Sequence, residues 1–123
     1  MSPIFARKLN RYFSNFQSLI DSATPSWVQE LPLAHRGNLI GYIQNIEDPT
    51  DIFVFGNDSL CCRNKGNWHE IPYELIVSIE TSPSKIGPPF YLGINTTKLG
   101  NHQFLTRDAY AIHSVLKHPA IKK

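Results

Sequence analysis

From residue 38 to residue 105 no apolar run lasts more than a few residues before a turn signal interrupts it. Such punctuation excludes long helices over this stretch and favours short strands joined by tight turns. Strands are predicted at 38–46, 51–55, 59–63, 68–71, 75–80, 90–95 and 103–105. Between them lie Glu47-Asp48-Pro49-Thr50, Gly56-Asn57-Asp58, Asn64-Lys65-Gly66-Asn67, Pro72-Tyr73-Glu74 and the Pro-rich segment 82–89. Each holds residues with a physical reason to turn: Gly and Asn tolerate positive φ, and Pro fixes φ.

Helical patterns flank this β region. In residues 3–22, Phe5, Leu9, Tyr12, Phe13, Phe16, Leu19 and Ile20 recur at helical spacing, with Ser2 as a cap and Pro3 in the first turn. Arg7, Lys8 and Arg11 fall outside the apolar stripe. A short turn over 26–31 carries Trp27 and is stopped by Pro32. A second helix is predicted over 107–117, capped by Thr106, with Asp108 in its first turn and Pro119 as its stop. Ala109, Ile112, Val115 and Leu116 give it one apolar face. The chain divides into an N-terminal amphipathic helix (1–24) packed on the domain, a connector (25–37) and a β-domain with its C-terminal helix (38–118). At 123 residues this is one domain, long enough to bury a core without staples.

Two stretches then suggest a family. They are Phe53-Val54-Phe55-Gly56-Asn57-Asp58-Ser59-Leu60 and Trp68-His69-Glu70-Ile71-Pro72-Tyr73-Glu74-Leu75-Ile76-Val77-Ser78-Ile79-Glu80. An aromatic, then Ile-Pro-Tyr, then an acidic residue and alternating β-branched residues resembles the strand-to-strand corner of PH-like domains, specifically the small bacterial ones. The resemblance spans about residues 38–118. It implies an α+β, mostly β fold: a curled antiparallel sheet or partly open barrel of six or seven strands, with a C-terminal capping helix. It also implies that a protein or peptide is bound at an open sheet edge or loop rim. The N-terminal helix is an addition to the family's core. Lipid-binding PH domains carry basic residues around the first strand-to-strand loop and a Trp in the last helix. Here the loop is Glu47-Asp48-Pro49-Thr50-Asp51 and the last helix has Tyr110. An acidic loop repels phosphates, so phosphoinositides are not the expected ligand.

Composition narrows the function further. Apolar residues are 41% and charged residues 18%, as in ordinary folded proteins, and the formal charge of +2 is too mild for a nucleic-acid binder. No apolar run reaches the roughly 18 residues of a membrane span, and residues 1–8 lack a signal-peptide pattern. A cytoplasmic protein is expected. The only cysteines, Cys61 and Cys62, are adjacent. Strand neighbours point to opposite faces, so one is expected in the core and the other at the rim, without a disulfide. The sequons at Asn57 and Asn95 read as turn chemistry.

Catalytic and metal-binding patterns are weak. The five histidines include His69 and His102; Cys61 or Cys62 could meet His69 through the 64–67 turn, and His102 could hydrogen-bond Asp108. His113 and His118 are badly spaced for a shared metal, and no phosphate loop exists; no cofactor or metal is expected. Glu47, Asp48 and Asp51 form the densest acidic cluster, read as a solvated hairpin tip or as a contact for a basic partner. Trp68 opens a strand and is a further candidate partner contact. The expected function is a non-catalytic protein-binding module, in its sharpest form a small inhibitor such as an immunity protein that blocks a bacterial toxin with a basic domain. Two alternatives stand beside it. One is a small hydrolase or nuclease using His69 or His102 as acid or base. The other is a membrane-surface module using the first helix with Arg7, Lys8 and Arg11.

Overall fold

A computed structural model describes residues 9, 11, 13, 16–19, 25–31, 39–44, 50–81, 91–106 and 108–116. The strands are β1 (Gln17–Ser18), β2 (Leu39–Gln44), β3 (Ile52–Gly56), β4 (Ser59–Asn64), β5 (Asn67–Pro72), β6 (Ile76–Thr81), β7 (Tyr91–Thr96) and β8 (Asn101–Leu105). An α-helix, α1 (Ala109–Leu116), follows them. The strands form two antiparallel sheets, one of five strands in the order β1-β2-β3-β4-β5 and one of three in the order β6-β7-β8. Each of the seven segments predicted as strands overlaps one, from β2 to β8.

The turns follow from their residues. Asn64 pairs with Asn67 across a two-residue loop in which Lys65 (φ 52°) and Gly66 (φ 84°) are both left-handed. That is the twist a two-residue hairpin demands. At the β7–β8 hairpin Gly100 takes φ 75°, and the Thr96 hydroxyl accepts the Leu99 N–H (2.9 Å) and donates to the Gly100 carbonyl (3.0 Å).

The main core lies between the sheets. Ile43, Phe53, Phe55, Leu60, Cys62 and Ile71 come from the five-stranded sheet. Leu92, Ile94 and Phe104 come from the three-stranded one, and Ala109, Ile112, Val115 and Leu116 from α1. α1 packs against β6 and β7. Its start is held by Thr106, whose hydroxyl accepts the Asp108 N–H at 3.1 Å, as the capping expectation required. A second cluster lies on the opposite face of the five-stranded sheet. There the 3₁₀ turn Ser26–Glu30 lays Trp27 and Val28, followed by Leu31, over Ile52, Val54 and Cys61. β3, covered on both faces, is buried along its whole length.

Two expectations are corrected. The helix predicted over 3–22 does not reach residue 22. The Phe13 N–H donates to the Leu9 carbonyl at 3.1 Å, a helical bond, and Leu9, Phe13 and Phe16 are buried in the main core. By Gln17 the chain is extended: Gln17 and Ser18 pair with Tyr42 and Gly41, and the Leu19 N–H donates to the Ile40 carbonyl at 2.9 Å. The open edge of β2 satisfies these backbone groups, and Gly41 leaves room for Phe16 to lie against it. Residues 1–8 and 20–24, with Arg7 and Lys8, lie outside the described residues; Arg11 is exposed. The second correction concerns the thiols. Cys62 faces the main core and Cys61 the opposite face, as alternation requires, but both are buried because the Trp27 turn covers the outer face.

Candidate functional site

Of the predicted acidic cluster, Asp51 alone lies among the described residues. Glu47 and Asp48 lie outside the described residues. Asp51 is buried, and its Oδ1 accepts the Lys65 N–H at 3.0 Å. The carboxylate therefore fixes the β4–β5 turn from the start of β3. It orders the left-handed Lys65 instead of projecting into solvent.

Trp68 belongs to a polar and aromatic cluster on the outer face of the five-stranded sheet. It is the register partner of Arg63, whose guanidinium lies 5.6 Å from the indole centroid. The Trp68 Nε1–H donates to Glu30 Oε1 at 2.9 Å, and Arg63 Nη1 donates to Glu30 Oε2 at 3.1 Å. Arg63 Nε reaches the Thr50 carbonyl at 2.8 Å. The indole bond, aided by Arg63, holds the Glu30 carboxyl below its ordinary range. Trp27 sits 5.8 Å from Trp68 and edge-on to Tyr42 at 5.0 Å between ring centroids. These contacts tie the Ser26–Glu30 turn to the sheet, so Trp68 is already engaged by its own chain.

The groups suited to acid–base or nucleophilic work meet where the free edges of β5 and β8 approach. Phe53, Cys62 and His69 stand in register across β3, β4 and β5. From β8, His102 comes within 5.6 Å of His69 between ring centroids, and Phe104 within 6.0 Å. The Cys62 thiol is pushed well above its ordinary range by burial, and Cys61 is pushed up to about 11 by burial before any other cause. A neutral, enclosed thiol is a poor nucleophile, so the pairing of Cys62 with His69 does not supply a thiolate. His102 is lowered by burial and then by His69, which keeps its ring neutral near pH 7. The expected bond between His102 and Asp108 does not engage Nε2 or Oδ2, both of which are buried without partners. Burial alone raises the Asp108 carboxyl. Among the described residues, no group of three His, Cys, Asp or Glu side chains is placed to hold a metal ion, and no helix is long and apolar enough to cross a membrane.

A third surface was missed by the sequence reading. The exposed large hydrophobic residues among those described are Val77, Tyr91, Leu99 and Leu105. Three of them lie on the three-stranded sheet, Val77 on β6, Tyr91 on β7 and Leu105 on β8, and Leu99 lies in its β7–β8 loop. Tyr91 and Leu105 are register partners on the sheet's outer face, at 43% and 48% exposure. Alternation carried a signal for this face. Leu92 and Ile94 on β7 and Phe104 on β8 are in phase with the core, which leaves Tyr91 and Leu105 out of phase with it.

The chain matches no family model, no curated protein and no solved structure.

The described residues thus present three surfaces. The first is consumed by internal contacts, the second brings His69 and His102 together beside the buried Cys62 thiol, and the third turns apolar side chains toward solvent.

Proposed function

We propose that this chain is a non-catalytic protein-binding module, in its sharpest form a small cytoplasmic inhibitor such as an immunity protein that binds and blocks a bacterial toxin. The observation that carries the reading is that the exposed large hydrophobic residues among those described lie on the three-stranded sheet, as Val77, Tyr91 and Leu105 do, or in its β7–β8 loop, as Leu99 does. Scattered apolar residues need no explanation, whereas their concentration on one element supports a recognition face. Tyrosine, the residue at position 91, is with tryptophan and arginine among the types that anchor such faces. The state of the thiols supports the same direction, since burial holds both neutral.

The resemblance to small bacterial PH-like domains belongs to this proposal. Seven strands, β2 to β8, and the α-helix after them support this reading, although they form two antiparallel sheets where the resemblance implies one curled sheet. β1 and the Ser26–Glu30 turn stand outside that set, as additions on the N-terminal side. The sheet face replaces the acidic loop as the leading candidate contact, because Asp51 is committed to Lys65. Glu47 and Asp48 remain the candidates for local complementarity to a basic toxin domain.

The test is co-expression with a toxic protein encoded beside this chain. Growth rescue and a complex that survives gel filtration are expected. Tyr91→Ser with Leu105→Ser should weaken that complex by about 2 kcal/mol or more, roughly thirtyfold. Far-ultraviolet circular dichroism should be unchanged, since both side chains face solvent. Glu47→Ser with Asp48→Ser should cost a further 1–2 kcal/mol, by roughly the worth of rim charges. Absence of both rescue and complex would refute the inhibitor reading. A complex indifferent to the sheet-face changes would move the interface elsewhere.

A further inference from the structure

The two sheets share a core, yet β5 and β8 are each the last strand of a separate sheet. Where these edges approach, aromatic side chains make the joint. His69 of β5 meets His102 of β8 with ring centroids 5.6 Å apart and planes at 71°. Phe104 lies 6.0 Å from His69 and 5.5 Å from Phe53, so the imidazoles continue the ring cluster of the core toward the surface. Both histidines are half-buried, and His102 Nε2 is enclosed without a hydrogen-bond partner.

We propose that the His69–His102 contact is an acid-sensitive joint: when His102 takes up a proton, the β5–β8 seam between the two sheets loosens. A cation on His102 is opposed by partial shielding from water and then by the neighbouring His69. A protonated His102 also places an unpaired N–H at an enclosed position, which opening to solvent would satisfy. Among the described residues, the surrounding groups offer no compensation. Cys62, in register with His69, is a neutral thiol, and Ile94, in register with His102, is apolar. β8 has no acidic side chain, and Glu70 of β5 is paired with Cys61 on the opposite face. Asp108 precedes α1, but burial raises its own carboxyl and favours the neutral form. The two influences on His102 are burial and then His69. A metal ion is not the better occupant, since no third ligand joins the pair among the described residues.

The direction with pH follows from the lowered His102 value. Above about 6.5 the ring is neutral in folded and unfolded chains alike, and the full stability is present. As pH falls below 6.5 the unfolded chain protonates first, and stability is lost until the folded ring protonates too. The device does not depend on the proposed partner, and its test uses the isolated chain.

Thermal unfolding at pH 7.5 and pH 5.0 should show a fall of about 3–6 °C in the wild type, the shift that a modest stability change gives at this size. His102→Gln and His69→Gln should each shrink that fall by half or more. Hydrogen exchange, corrected for intrinsic rates, should show protection lost first in β5 and β8 at pH 5.0. Nuclear magnetic resonance titration of the wild-type imidazoles gives a readout that needs no variant: His102 should titrate below 6.5. A His102 titration at or above 6.5, an undiminished fall in both variants, or exchange spread evenly over β2 to β4 would each overturn the proposal.

Discussion

Gly41 shows how one absent side chain decides a junction. A Cβ built there would stand 2.6 Å from the Gln17 carbonyl oxygen and closer still to the Phe16 ring. β1 pairs at this point, with Ser18 opposite Gly41. Gly41→Ala therefore forces backbone apart, not merely a flexible side chain. It should lower unfolding stability by about 1–3 kcal/mol in urea denaturation, the usual cost of overpacking. Tyr73 illustrates the opposite situation, in which a large group is fully accommodated. Its hydroxyl donates to the Gly56 carbonyl at 2.9 Å and its backbone N–H to the Asp58 carbonyl at 3.0 Å, which closes the corner between β5 and β6 onto the β3–β4 turn. Burial pushes its phenol far above the ordinary range, so it remains a donor at any physiological pH.

Among the elements, the β4–β5 hairpin combines a strained residue with its remedy. Lys65 occupies the left-handed region at φ 52°, unfavourable for a side chain that offers no local hydrogen bond to the backbone. The Asp51 carboxylate compensates by accepting the Lys65 N–H. Lys65→Asn keeps that backbone bond and suits the conformation better. It should raise stability by about 0.5–1 kcal/mol, read as a higher urea midpoint with an unchanged slope. No gain would mean that the turn residue's conformational cost is already absorbed by Asp51. The first helix teaches a different lesson about elements. Leu9, Phe13 and Phe16 reach the core at helical spacing, yet Gln17 and Ser18 take part in a sheet. Periodicity saw which residues are apolar, but not that the edge of β2 stood ready to extend them.

At the scale of the whole molecule, the five-stranded sheet separates two apolar regions. One is shared with the three-stranded sheet and α1, and the other is roofed by the Trp27 turn. Cys61 and Cys62 report on the two regions independently. Neither thiol should react with iodoacetamide in the native protein at pH 8, because both are enclosed and neutral. Trp27→Ala removes the centre of the roof, at a cost of about 3–5 kcal/mol. Mass spectrometry should then find Cys61 alkylated well ahead of Cys62. Equal labelling of both would show that the roof and the main core open together.

The amino-acid sequence by itself determined the β elements, because their signals are local. Turn residues such as Asn64, Gly66 and Pro72 punctuate the chain, and the alternation of Leu92 and Ile94 with outward neighbours sets each strand's inner face. The helix cap at Thr106 was legible for the same reason. Only the tertiary structure decided which outward faces stay exposed. Trp27 covers Cys61 and Val54, Asp51 turns inward to Lys65, and His69 meets His102 across separate sheets, while Tyr91 and Leu105 are left facing solvent. Each of these outcomes depends on pairings between residues distant in the chain. Such pairings follow from how whole sheets pack, which no local pattern of residues encodes.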